Sequence, residues 1–483
     1  MSDRRTAPRS PARWLAILIL SLSAAALGQS SGTMSFDPPS GSVGTDVTVT
    51  LAGLTPGADV DIVWTSAEAD WNVADGRFLG VVATDTRTVV ATAQVGADGT
   101  ASTTFAVPED YGYVHNVFAE SGGEQVARQG FVVAPHMTIE PASGPVGTPI
   151  TVTLTGAGYR FWEMVWQMAY DGAHTGWLSA ITTQGTAKVV IPATGEVGMH
   201  TLQAISGTHP VPYLNQQQSP NYKPAVPTVL GAVFEVTDGP AVAWSAPAEQ
   251  TLPRKPGAPL ADGEGPRVTT DFASGPVGSP LTVTGAGFTP GAEVAVGWSS
   301  VRGNRISGAG WEEVERELGT ATVDASGAFA FTTDTPDDLG GAHRVTVVAG
   351  EDGAETSYVI TPSVSMVTPQ VVEPGGDIQL TIKGIGWTET ANIIALLLDN
   401  GYLGYGCGFN SQGDVTIHLK APGREGVHFI SLYPSIYQGQ VTGPGAPASP
   451  DANATYLQLP MLNHVDHPGE ELPAFHLTFE VRR

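Results

Sequence analysis

The sequence predicts an all-β chain of four tandem β-sandwiches, two kinds in alternation, and three observations carry that prediction. First, the chain repeats itself. Residues 39–64 (PSGSVGTDVTVTLAGLTPGADVDIVW) recur at 273–298 (ASGPVGSPLTVTGAGFTPGAEVAVGW), and 141–158 (PASGPVGTPITVTLTGAG) recur, more loosely, at 369–386 (PQVVEPGGDIQLTIKGIG). Second, each opening runs from a Pro/Gly turn into alternating apolar and Thr residues, the period-2 signal of a half-buried strand. Third, turn signals follow at short spacing with almost no helical periodicity, which is the pattern of a sandwich of about 100 residues per unit.

Residues 1–28 form the first element. Arg4, Arg5, Arg9 and Arg13 precede an apolar run from Trp14 to Leu27, and Ala26-Leu27-Gly28 supplies small residues for cleavage. This is the layout of a secretory signal peptide, and the run is short of the roughly 20 apolar residues of a membrane span. No later stretch reaches that length, so we expect an exported protein, extracellular, cell-surface or periplasmic, without a transmembrane segment in the mature chain.

Units A1 (33–134), B1 (137–237), A2 (267–362) and B2 (363–483) follow, with a Pro/Ala-rich linker at 238–266. The second half of each unit starts at a turn (Asp98-Gly99, Gln184-Gly185, Ser326-Gly327, Gln412-Gly413) and later carries a histidine near a glycine: His115, His200, His343 and His428. A shift of 228 aligns Asp98 through His200 with Ser326 through His428 without a gap. The duplicated object is therefore an A-B pair, and the short joints (Ala134-Pro135-His136 and Pro362-Ser363-Val364) should fix A against B. The linker reads as a semi-extended spacer, giving two stiff pairs on one flexible tether. The opening pattern, fullest at 273–291, resembles the immunoglobulin-like repeats of the IPT/TIG type found in bacterial surface and secreted proteins. That resemblance implies an immunoglobulin-like sandwich and a role in adhesion, scaffolding or accessory binding, and it brings no catalytic residues with it.

Composition narrows the function. The 483 residues hold 22 Lys+Arg against 47 Asp+Glu, a net charge of −25, with a single cysteine. Nucleic acid is not an expected partner, because phosphate binding needs clustered basic residues. One cysteine excludes a disulfide framework and a thiolate zinc site. No nucleophile elbow or phosphate-cradling loop stands in the right context. The duplicated acids Asp110/Asp338 and Asp171/Asp399 sit at strand ends, where Asp commonly caps turns. The four histidines occupy equivalent places in separate units and read as packed or backbone-bonded residues. Cys407 aligns with Ser179 and reads as a small, partly buried residue. No cofactor is expected, although calcium in Asp-bearing loops of an acidic exported sandwich is worth testing.

The B units carry the candidate site. Pro212-Tyr-Leu-Asn215 and Pro460-Met-Leu-Asn463 open matched loops, each closed by a proline five residues after its Asn. Asn can brace such a loop through backbone bonds, or, with Gln and Tyr, read sugar hydroxyls. On the second reading the ligand-binding residues are Tyr213, Asn215, Gln217, Trp177, Tyr402, Tyr405 and Asn463. Tyr402 and Tyr405 lie in a Gly-rich stretch with the character of an exposed loop, and 438–453 reads as a surface excursion. His464, Asp466 and His467 could alternatively hold a divalent metal in B2 alone. The expected function is non-enzymatic binding or adhesion at the cell envelope, a glycan or envelope component held by two tethered B sites. A structural spacer is the first alternative and a glycan-active or metal-dependent hydrolase the second. Oligomeric state is open, since exposed edge strands can pair between molecules.

Overall fold

The computed structural model describes residues 32–74, 77–207, 213–219, 226–244, 249–304, 310–366, 370–436, 459–469 and 472–483. The expected signal segment and the 438–453 excursion lie outside them. In A1 the strands are β1 (Thr33–Asp37), β2 (Ser40–Gly41), β3 (Asp46–Ala52), β4 (Asp59–Ala74), β5 (Arg77–Gln94), β6 (Ala101–Ala106), β7 (Tyr113–Ser121) and β8 (Glu124–Val133). β1, β3 and β6 form one antiparallel sheet. β2, β8, β7, β4 and β5, in that order, form the other, with β2 parallel to β8. The same three-plus-five arrangement recurs in B1 and A2, and in B2 with one strand more in the smaller sheet. The chain is four tandem immunoglobulin-like β-sandwiches. Helical structure among the described residues is confined to three 3₁₀ turns of three residues each, and no helix there is long and apolar enough to cross a membrane.

Alternation builds each core. In β3, Val47, Val49 and Leu51 point inward and are fully buried, while the Thr residues between them face out. The equivalent strands Pro149–Thr155, Pro280–Ala286 and Asp377–Lys383 repeat that alternation. Each buried aliphatic side chain contributes on the order of 2 kcal/mol by leaving water.

The two A-B joints are built alike. The Gly112 amide donates to Ala157 O at 3.0 Å, and Gly340 to Ile385 O at 3.1 Å. A Cβ at either glycine would lie within 2 Å of a carbonyl oxygen in the next domain, Gly156 O or Gly384 O. Asp110 and Asp338 prove to be buried hubs at these joints rather than turn caps. Trp64 Nε1 donates to Asp110 at 2.7 Å and Trp298 Nε1 to Asp338 at 3.0 Å. Gln184 and Gln412, from the following B domain, donate to the same carboxylates at 2.9 and 2.7 Å. Burial pushes the Asp338 carboxyl up, but the bonds from Gln412, Ser300 and the Leu339 amide outweigh it and hold the group below the usual carboxylate range.

The histidines carry structure. His115 and His343 each set both ring nitrogens against backbone carbonyls at 2.7–2.8 Å and stack on Trp64 and Trp298. His200 and His428 bond to Asp171 and Asp399, whose backbones are left-handed at φ 47° and 48°.

The relation between the pairs departs from the tethered picture. Val242 N donates to Val146 O of B1 at 2.8 Å, and Trp244 N donates to Thr478 Oγ1 of B2 at 3.0 Å. Glu249–Thr251 then adds a fourth strand beside Ser363–Met366 of B2. Further on, Gly257 N donates to Asp271 O of A2 at 3.0 Å. The linker thus follows three domains, chiefly through backbone bonds and through Trp244, whose Nε1 donates to Gly147 O of B1 at 2.5 Å. B1 and B2 also touch directly: Asn400 Nδ2 donates to Pro192 O at 2.8 Å from a nearly fully buried position.

Candidate binding surfaces at the domain junctions

Three domains meet where the B2 loop lands. B1 ends its five-stranded sheet on the edge strand Ala173–Leu178, and residues 460–462 of B2 lie along that edge. Trp177 N donates to Pro460 O, and Leu462 N to Trp177 O, both at 2.9 Å. Asn463 Nδ2 donates to Ser179 O at 2.9 Å. The A1 hairpin of β4 and β5 outruns its sandwich and reaches the same place. There Trp71 Nε1 donates to Asp466 O, and Phe78 N donates to Glu389 Oε2 at 2.9 Å. Trp71, Phe78, Met164, Trp177, Ile436 and Met461 form one apolar cluster drawn from A1, B1 and B2.

This geometry divides the seven ligand-binding residues expected from sequence, three buried or half-buried and four exposed. Trp177 and Asn463 are each only 1% exposed, so they join domains and present nothing to a ligand. Tyr402 is half-buried beside His174, and burial pushes its hydroxyl up to about 12. Tyr213, Asn215, Gln217 and Tyr405 are exposed, on two surfaces belonging to different domains. Cys407 is exposed too, contrary to the partly buried position its alignment suggested, whereas Ser179 lies under the B2 loop at Asn463.

The metal reading of His464, Asp466 and His467 does not survive. Asp466 accepts from Ile181 N at 2.9 Å and from Thr182 N and Oγ1 at 2.6 and 2.7 Å, all on B1. Burial pushes its carboxyl above the usual range despite those three donors. His467 accepts from Gly469 N at Nδ1 and bonds to Ser435 O through Nε2, and burial lowers it to about 4. Among the described residues no three His, Cys, Asp or Glu side chains are grouped so that they could hold a metal ion.

Sequence reasoning missed an open groove on A1 at its joint with B1, of about 520 Å³. Arg87, Asn116, Phe118, Gln125, Tyr159 and Arg160 are among its lining residues. Arg87 lies over the Phe118 ring at 5.1 Å and is paired with Glu120; Arg160 lies over Tyr159 at 5.0 Å and is paired with Glu163 at 3.1 Å. Two guanidiniums, each paired with a carboxylate, and the further carboxylate of Asp85 make this a donor- and acceptor-rich surface. The only sequence signal was the Tyr159-Arg160 step after Gly-Ala-Gly, since the other lining residues come from strands far apart in sequence.

No protein-family model and no curated protein matches the chain. Among solved structures it is similar to an ICAM-5 D1–D4 ectodomain fragment (11% identity, TM-score 0.17), covering 93% of this chain and all of that one. It is similar to a putative membrane anchored protein from Corynebacterium diphtheriae at 12% identity and TM-score 0.19, over 68% of this chain and 89% of that one. It is also similar to invasin, described as a bacterial integrin-binding protein, at 12% identity and TM-score 0.16, over 83% and 76%. At these scores the likeness bears on neither domain arrangement nor ligand. The class, a tandem immunoglobulin-like β-sandwich protein, rests on the strand pairing itself.

Proposed function

We propose that this chain is an exported, non-enzymatic binding protein of the cell envelope or extracellular space, and that its ligand is a glycan taken up by the A1-B1 groove. The observation that carries this reading is the groove's lining. Asn116 and Gln125 supply amides for hydroxyls, paired Arg and Glu side chains supply fixed donors and acceptors, and Phe118 and Tyr159 supply ring area. Export is supported by the basic and apolar leader at 1–28. A concave polar site at a domain junction is a common place for ligands. The buried loop residues favour a second reading, a structural scaffold, because Trp177, Asn463 and Asp466 are spent on holding domains together.

The two readings separate in a sedimentation assay with insoluble envelope and polysaccharide fractions. Native protein is expected to co-sediment, and an Arg87→Ala, Asn116→Ala double variant, both positions being exposed, to lose more than about tenfold in affinity while keeping its melting temperature. Unchanged binding by the variant would remove the groove from the account. Failure of both proteins to bind would leave the scaffold.

A further inference from the structure

The two B domains carry the same loop with opposite fates. Asn215 and Asn463 have nearly identical backbones, φ −82° ψ 70° and φ −81° ψ 69°, and each precedes a three-residue 3₁₀ turn. Leu462, before Asn463, is fully buried against B1, whereas Leu214, before Asn215, is 78% exposed. The receiving edges differ in the same way. Trp177 on B1 is covered, while Tyr405, its equivalent on the B2 strand Gly401–Gly406, is 51% exposed, with Leu403 at 55%. Among the described residues that strand ends its sheet, pairing with Ile393–Leu398 alone. Tyr405 stands opposite Ala395 in the register in which Trp177 stands opposite Gln167. Its N–H and C=O therefore face outward as those of Trp177 do, toward the position that Leu462 fills on B1.

We propose that the B2 edge at Tyr405 is a docking site for the Leu214-Asn215 loop of a second copy of this chain. The contact inside one chain is the template: Leu462 N donating to Trp177 O becomes Leu214 N donating to Tyr405 O, with Leu214 covering Leu403 and Tyr405. Addition of a segment to an exposed sheet edge in this way is β-augmentation. Both patches are free of charge, 213–219 (YLNQQQS) and 401–408 (GYLGYGCG), in a chain of net charge −25, so two copies can approach there without local repulsion. With B1 and B2 packed in one chain, and Tyr402 turned toward B1, Leu214 on the loop and Leu403 and Tyr405 on the edge stay exposed, which leaves them to a partner. Each copy offers one loop and one edge, so a reciprocal pair closes on itself.

This inference is independent of the glycan reading. The test is sedimentation velocity of the purified protein in the Cys407→Ser background, which removes disulfide dimers. Native sequence should show a concentration-dependent dimer. Leu214→Asp, on an exposed loop where folding is not at stake, and Tyr405→Pro, which removes the edge donor, should each weaken it by more than about tenfold. Mixing the two variants should restore association, because an intact loop then meets an intact edge. A native chain that stays monomeric, a dimer indifferent to Leu214→Asp, or a mixture that fails to associate would overturn the proposal.

Discussion

The B1 and B2 edge strands descend from one repeat and lie in the same register, yet one is interior and the other is surface. On B1, Trp177 is enclosed by Met461, Leu462 and the A1 hairpin; on B2, Tyr405 stands open. The difference teaches that a repeat copies a domain's potential contacts, while its neighbours decide which are made. Residues 460–467 contribute to the fold chiefly by leaving their own domain. They supply one strand-like contact, a buried amide and a buried carboxylate to B1.

Paired substitutions can break this comparison or sharpen it. The largest expected effect is Trp177→Ala, which empties the cluster shared by three domains and should cost about 3–5 kcal/mol in denaturant unfolding. The equivalent Tyr405→Ala should cost less than about 0.5 kcal/mol. Equal losses would mean that the two edges are not in different environments.

Acid comes next. His467 and His476 are held neutral by burial, each lowered to about 4. The unfolded chain takes up these protons near pH 6.5, so between 6.5 and 4 it binds more protons than the folded state. Stability is therefore complete above about pH 6.5 and falls as pH drops to about 4, by as much as roughly 3 kcal/mol per histidine. Melting followed by hydrogen exchange should show B2 loosening in that window before A1 does.

The smallest contrast is Asn463→Ala against Asn215→Ala. The first strands the buried Ser179 carbonyl and should cost about 1–2 kcal/mol, and the second almost nothing. A matched loss at Asn215 would show that its loop is docked after all.

Much of the fold was legible because strands of one-sided sandwiches alternate. DVTVTLA at 46–52 and PITVTLT at 149–155 announce which face is inside. The packing of B1 on B2 also left a trace, less readily read. VWQMAY at 165–170 and IIALLL at 393–398 barely alternate, and they are buried on both faces because a second domain covers the outer one. The A1 counterpart, DVDIVW, alternates over Asp59–Ile62, where the two Asp residues keep an open face, before Val63 and Trp64 are buried as well. The candidate site was legible only as residue types. Asn463 stood out as a loop residue fixed for a reason and Asp466 only as a candidate metal ligand; the groups both of them bond lie on Ser179, Ile181 and Thr182, about 285 residues away in sequence. The linker misled for a related cause: its Pro and Ala content described a spacer, while Trp244 and the strand at 249–251 anchored it.

The two A-B pairs form one body, locked by the B2 loop, and not two bodies on a tether. Electron–electron resonance between spin labels at the exposed positions Met199 on B1 and Lys420 on B2, in the Cys407→Ser background, tests it directly. The account predicts a single narrow distance distribution that broadens on Trp177→Ala. A broad distribution in the native protein, unchanged by that substitution, would contradict it.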